Sequence, residues 1–246
     1  MRKYFTYKYI LLYGILLITA GFYLNYFIPK PSNQTETSLT ADYVTPTVAP
    51  TPVIDVGSNA GAIFVRNAAI VIGDSTKDLI EKFGRPARIA VTEFDYTYYI
   101  YNNDYKKLLF VAIREDQVIG FYTDSLDFKY QGIGYGATLE QINQLLKESF
   151  SLSDVLTKTL SGYHVSILMD TLNTDKTVGI YVMSDSSEAR DFNPKVITSE
   201  EQLVYDLTNS VRARVGLSPL SWSSSAGQAA RKHSENMAAN HFFGHN

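Results

Sequence analysis

Three of the four histidines in the chain, His233, His241 and His245, fall within its last fourteen residues. His241 and His245 stand four apart, a spacing that on a helix would turn two imidazoles toward one metal ion. Phe242, Phe243 and Gly244 lie between them and argue against a continuous helix there. Two histidines without a third ligand also rarely make a site. His233 follows a run of alanines and reads as a helix-packing residue, and His164 as a structural residue on a strand. Asp124 and Asp127 could form a carboxylate pair, but a solvated turn is the simpler reading. Phe94, Tyr96, Tyr98 and Ile100 alternate with Asp95, Thr97, Tyr99 and Tyr101, a strand with two aromatic faces. Such a strand can be a ligand platform, although a sandwiched core strand is the commoner use of this pattern. No nucleophile elbow, phosphate-binding loop or dinucleotide fingerprint is present.

Composition narrows the classes. The 246 residues allow one large domain or two small ones with a real core. Charged residues make up 19% and hydrophobic residues 45%, which excludes a polyelectrolyte or disordered chain. The net charge of −3 argues against nucleic acid as a partner. The chain has no cysteine, which removes disulfides, thiol nucleophiles and cysteine-based metal sites.

The elements that would position these side chains begin with an apolar run. Residues 9–28 carry no charge, and as a helix they would span about 30 Å, the thickness of a bilayer's hydrocarbon core. Arg2, Lys3 and Lys8 precede the run, so residues 1–8 are expected in the cytoplasm and the remainder outside. A retained transmembrane anchor is expected rather than a cleaved signal, because the run is long and its best small-residue site, Ile18-Thr19-Ala20, begins with a bulky residue. Residues 29–56 are rich in Thr and Pro and read as an extended stalk. Asn33-Gln34-Thr35 is a formal glycosylation sequon within it, a weak signal.

Residues 57–190 carry an internal duplication. The segment from Gly73 to Phe83 recurs from Gly136 to Leu146, an offset of 63 residues. In each copy a hydroxyl residue, Ser75 or Thr138, can cap a helix, with Asp78 or Gln141 placed to reach back. Strand-like runs follow each helix: 94–101, 108–113 and 118–122 after the first, 163–169 and 178–183 after the second. The expected class is α+β: a transmembrane helix, a stalk, a duplicated domain of helix plus antiparallel sheet, and a helical tail.

In the tail, residues 197–246, Thr198-Ser199-Glu200-Glu201 is arranged to open a helix that continues through Leu203, Leu207 and Val211. A second helix is expected from Ser224 to Asn240, with Ala226, Ala229 and Ala230 on a packing face. Four blocks then stand in order: Leu207 to Ala213, Gly216 to Leu220, Ala229 to Ala238, and Phe242 to His245. This stretch resembles the start of the CAP superfamily, also called the SCP domain. The middle domain, with Ile72-Gly73-Asp74-Ser75 and Phe83-Gly84-Arg85-Pro86, resembles the CAP-associated N-terminal domain of bacterial membrane-anchored CAP proteins.

The resemblance implies a cleft lined by two His and two Glu in an α-β-α sandwich, able in several members to bind a divalent metal, zinc or calcium. His245 matches the first of those histidines. The other ligands and the sheet would lie downstream, so the expectation is a CAP domain represented here only by its first helices, in a truncated form. The implied function is a membrane-anchored extracellular module of a bacterial cell surface that binds a lipid, a metal, a protein or another ligand, without catalysis in this chain. The alternative is a metal-dependent hydrolase of peptide or cell-wall material, its site incomplete here.

Overall fold

The computed structural model describes residues 59–184 and 193–244. The expected membrane helix at 9–28, the stalk at 29–56 and His245 lie outside the described residues. Among the described residues no helix is long and apolar enough to cross a membrane.

The sequence folds first into tight antiparallel hairpins. β1 (Ala62–Val65) turns into β2 (Ala68–Val71) through Arg66 and Asn67, whose φ angles are 52° and 65°. The same two-residue, positive-φ turn joins β5 (Leu109–Arg114) to β6 (Gln117–Thr123) at Glu115 and Asp116. It joins β7 (Lys129–Tyr130) to β8 (Ile133–Gly134), and β9 (Val155–Leu160) to β10 (Tyr163–Met169). Such turns match the right-handed twist of the strands they connect and fix their register. β3 (Arg88–Val91), β4 (Thr97–Tyr101) and β11 (Thr177–Ser184) complete the set.

The strands form two antiparallel sheets. The small one has the order β2-β1-β7-β8, the large one β3-β4-β5-β6-β11-β10-β9. At the centre of the large sheet β6 pairs with β11, with Phe121 opposite Val182 and Gly120 opposite Met183.

Two short helices precede the strand groups, and their caps are the ones legible in the sequence. α1 (Thr76–Phe83) is capped by Ser75, whose hydroxyl accepts from Asp78 N at 3.1 Å while Asp78 accepts from Ser75 N at 3.3 Å. α2 (Leu139–Leu146) repeats the arrangement with Thr138 and Gln141. Gly73 N donates to Val118 O and Gly136 N to Thr177 O, each at 2.8 Å, so each cap is stitched to the start of β6 or β11.

The alternation of side chains gives the large sheet two buried faces. One carries Val111, Phe121, Val165, Ile167, Ile180 and Val182 and packs with Leu79 of α1, Ile142 of α2, and Ile63 and Ile70 of the small sheet. The other carries Ile100, Phe110 and Tyr122 and meets Leu203 of α3 (Pro194–Arg214). The Tyr-rich strand divides as its alternation requires, with Tyr99 and Tyr101 on the first side and Tyr96 and Tyr98 on the second.

α3 departs from the sequence reading. It begins at Pro194, not at the Thr198 capping arrangement, because Asn193 caps it by accepting from Lys195 N and Val196 N, and proline suits the first helical position. α4 (Ser224–Ala239) follows, capped by Ser223. Its alanine face is exposed, and no residue of α4 is buried.

Candidate functional site

The densest polar chemistry lies where α3 rests on the large sheet. The buried positions of α3 are Val196, Leu203, Asp206, Asn209, Ser210 and Ala213, so polar groups share the hidden side with apolar ones. Each polar group there has a partner supplied by a different element.

Asp206 is the first node. Arg88 on β3 makes an ion pair with its Oδ2. Asn102, just past β4, donates to Oδ1 at 2.7 Å, and the Tyr105 hydroxyl donates to the same oxygen at 3.1 Å. Tyr105 is held in a 3₁₀ turn, Tyr105–Lys107, capped by Asp104. Burial pushes the Tyr105 hydroxyl above its usual range, as does the neighbouring charge of Asp206, against the pull of a hydrogen bond from Asn209. Arg88 Nη1 is buried with no hydrogen-bond partner among the described residues, so Asp206 supplies its charge compensation.

Asp124 is the second node. It stands just past β6 in a turn pinned from within: Thr123 Oγ1 donates to Leu108 O at 2.6 Å and accepts from Ser125 N at 3.1 Å. Arg214 Nη1 donates to Asp124 Oδ2 at 2.6 Å and to Val178 O at 3.3 Å. Ser210 Oγ lies 2.6 Å from the same Asp124 oxygen and 3.0 Å from Tyr105 O, and its single proton serves one of them at a time. Burial raises the Asp124 carboxyl above its ordinary value, against the opposing effects of Arg214, Ser210 and Tyr122. Burial also works against the Arg214 charge, but Asp124 leads the groups that outweigh it and holds the guanidinium above its usual value.

The solvated-turn reading of Asp124 is therefore corrected: the residue is 1% exposed. Its ion-pair partner lies ninety residues away in sequence, so nothing local to the turn signals it. Asp127 turns elsewhere, accepting from Ser125 Oγ and from Arg66 N. The two aspartates do not form an acid–base pair; one docks a helix and the other closes a loop.

Beside α3, the aromatic side chains run as a contiguous string. Phe94 stacks on Tyr96 at 5.5 Å, Tyr96 meets Tyr98 edge-on at 5.3 Å, and the contacts continue through Phe110 to Tyr122 at 5.9 and 5.3 Å. Tyr96 is 6% exposed, so this strand belongs to the core and is not an open platform. Burial pushes the hydroxyls of Tyr96, Tyr98 and Tyr181 up, so all three stay protonated at neutral pH.

α3 also holds the loop to α4. Asn209 accepts from Leu220 N at 2.7 Å and donates to Leu220 O at 3.3 Å. Tyr205 donates to Leu220 O at 2.5 Å, and its ring meets Trp222 edge-on. Arg231 of α4 grips Glu201 with two parallel bonds, 2.8 and 2.7 Å. A cleft of about 390 Å³ opens at the end of the seam between residues 103–106 and 216–219.

Among the described residues the histidines do not assemble a metal centre. His233 Nε2 lies 3.1 Å from Gly244 O and its ring meets Phe242 edge-on, so it packs the turn after α4. His241 follows the end of α4 with a φ of 53°, off any helix that would align it with position 245. His164 lies on β10 opposite Met183 and Thr159. Among the described residues no three His, Asp or Glu side chains converge to hold a metal ion.

Comparison with known proteins gives the class. The CAP-associated N-terminal family model matches residues 72–154, and the cysteine-rich secretory protein (CAP) family model matches residues 205–246. The chain thus carries a CAP-associated N-terminal domain followed by CAP-family sequence. Among curated proteins it is similar to the uncharacterized membrane protein YlbC of Bacillus subtilis, at 22% identity over 71% of this chain. It spans 61% of that relative's length. Among solved structures it is similar to an extracellular SCP-domain protein from Bacillus anthracis (TM-score 0.55, 20% identity, 71% of this chain and 69% of that one). It is also similar to a cysteine-rich secretory protein from Staphylococcus aureus (TM-score 0.50, 16% identity, 71% and 74%). At these identities the structural likeness establishes the fold.

Proposed function

We propose that this chain is a membrane-anchored CAP-domain protein of a bacterial cell surface, held through residues 9–28 with its folded modules outside. In this reading it is a binding module for a lipid, a metal ion, a protein or another surface ligand. The observation that carries the reading is the seam. The first helix of the CAP-matching segment is seated on the sheet of the CAP-associated domain by two ion pairs whose aspartates are buried. The anchored part would therefore present the CAP segment in a fixed orientation. The uncharged run at 9–28, the Thr/Pro-rich segment at 29–56 and the similarity to a Bacillus subtilis membrane protein support the anchor. The similarity to an extracellular protein of Bacillus anthracis supports the side of the membrane. An internal duplication belongs to the same proposal, supported by the matching capped helices and the antiparallel meeting of β6 with β11.

His245 is proposed as a metal ligand of the complete CAP cleft, with zinc or calcium as the ion. The described residues alone do not enclose such an ion.

Two experiments test the proposal. Cell fractionation with protease treatment of intact cells should find the whole chain in the membrane fraction and its CAP-matching region cleavable from outside. Recovery in the cytosol, or only as a shortened form in the medium, would remove the anchor. Zinc and calcium titration of the complete ectodomain by calorimetry should give saturable heat that His245→Ala abolishes. Identical titrations for the two proteins would strike His245 from the site.

A further inference from the structure

We infer that the large sheet is a register-specific receptor for one stripe of α3, read at two points of opposite charge. Asp206, Ser210 and Arg214 stand at successive i+4 positions and so share one face of the helix. Arg88 on β3 receives the acidic end of the stripe, and Asp124 past β6 receives its basic end. Ser210 bonds between them. Asp206 and Asp124 are 2% and 1% exposed, so neither charge can find water as a substitute partner.

The apolar part of the contact cannot by itself set this register. The fully buried apolar residues of α3 are Val196, Leu203 and Ala213, with Leu207 partly buried against the same cluster as Leu203, a smooth and narrow set beside the charged stripe. The charges forbid a shift. Sliding α3 by one turn in one direction brings Asp206 to the place of Ser210, carboxylate against Asp124, and leaves Gln202 facing Arg88. Sliding it the other way puts Ser210 against Arg88, whose half-buried guanidinium then has no carboxylate. Only the observed register pairs both ends.

This goes beyond the proposed surface role. It makes the sheet and the CAP-matching helix one rigid body whichever ligand the protein binds, and fractionation results do not bear on it. The chain has no cysteine, so two introduced ones label unique positions. Glu115 on the β5–β6 turn and Thr198 on α3 are both exposed. Spin labels at Glu115→Cys and Thr198→Cys in the full-length chain in detergent should give one narrow distance. Asp206→Arg or Arg88→Asp alone should lose it, and the two together should restore it. A narrow distance that survives either single reversal, or a double reversal as broad as the singles, would overturn the inference. Should the reversals unfold the sheet, Asp206→Asn and Arg214→Gln serve instead. Each should broaden the distance, and an unchanged distribution in both would equally overturn the inference.

Discussion

Asp124 and Arg214 meet at 2.6 Å, with side-chain exposures of 2% and 10%, across ninety residues of sequence. A buried pair of this kind gains little over an apolar pair of the same shape, yet losing one partner leaves the other charged and dry. Arg214→Met should therefore destabilise the fold by about 3–5 kcal/mol. The double variant Asp124→Leu with Arg214→Met should recover most of the loss. Urea unfolding of the three proteins checks both expectations.

Two aspartates should bend the pH profile in opposite directions. Burial raises Asp124 in the folded state, so its contribution to stability is fully present below the unfolded carboxyl value and is lost as pH rises through the folded one. Hydrogen bonds from Ser75 lower Asp78, so its contribution is present above the unfolded value and is lost as pH falls through the folded one. Melting temperatures across the acid range should show the stability of Asp124→Asn gaining on wild type as pH rises. Asp78→Asn should lie furthest below wild type near neutrality and converge with it in acid.

The two helix caps should carry similar weight. Ser75→Ala and Thr138→Ala each remove a hydroxyl that accepts from the third residue of its helix. Each should cost about 1 kcal/mol by denaturant titration, and because the caps share no hydrogen-bond partner the losses should add.

Gly120 marks the tightest point of the central strand pair. A Cβ there would lie 2.6 Å from both Val182 O and Met183 Sδ. The sulfur can swing aside, but the carbonyl belongs to the paired strand. Gly120→Ala should cost roughly 1–3 kcal/mol by overpacking, read as a drop in melting temperature.

What the sequence displayed was local. Ser75 and Thr138 announce their helices because capping is decided within four residues. The aromatic alternation from Phe94 assigned its two faces correctly, although β4 itself begins only at Thr97, because the Thr92 hydroxyl bonds to Tyr96 O at 2.6 Å and holds the preceding residues in a loop. Strands such as β1, β2, β7 and β8, two to four residues long, are too short to show a period and escaped notice. Leu203 was legible as an inward residue of α3. Asp206, Asn209 and Ser210 were not, since hydrophobic periodicity cannot reveal a buried polar face whose partners lie on other strands. The helix start was misplaced because Thr198 imitates a cap while Asn193 provides one.

β3 is one of the two outer strands of the large sheet, its Ile89 is 55% exposed, and α3 lies against it. Bare outer strands invite pairing with foreign chains. Arg88 leaves the ribosome 118 residues ahead of Asp206, so while those residues are being made this border has nothing to lean on. A nascent or nicked polypeptide lacking α3 would carry an open seam, and aggregation would begin along β3.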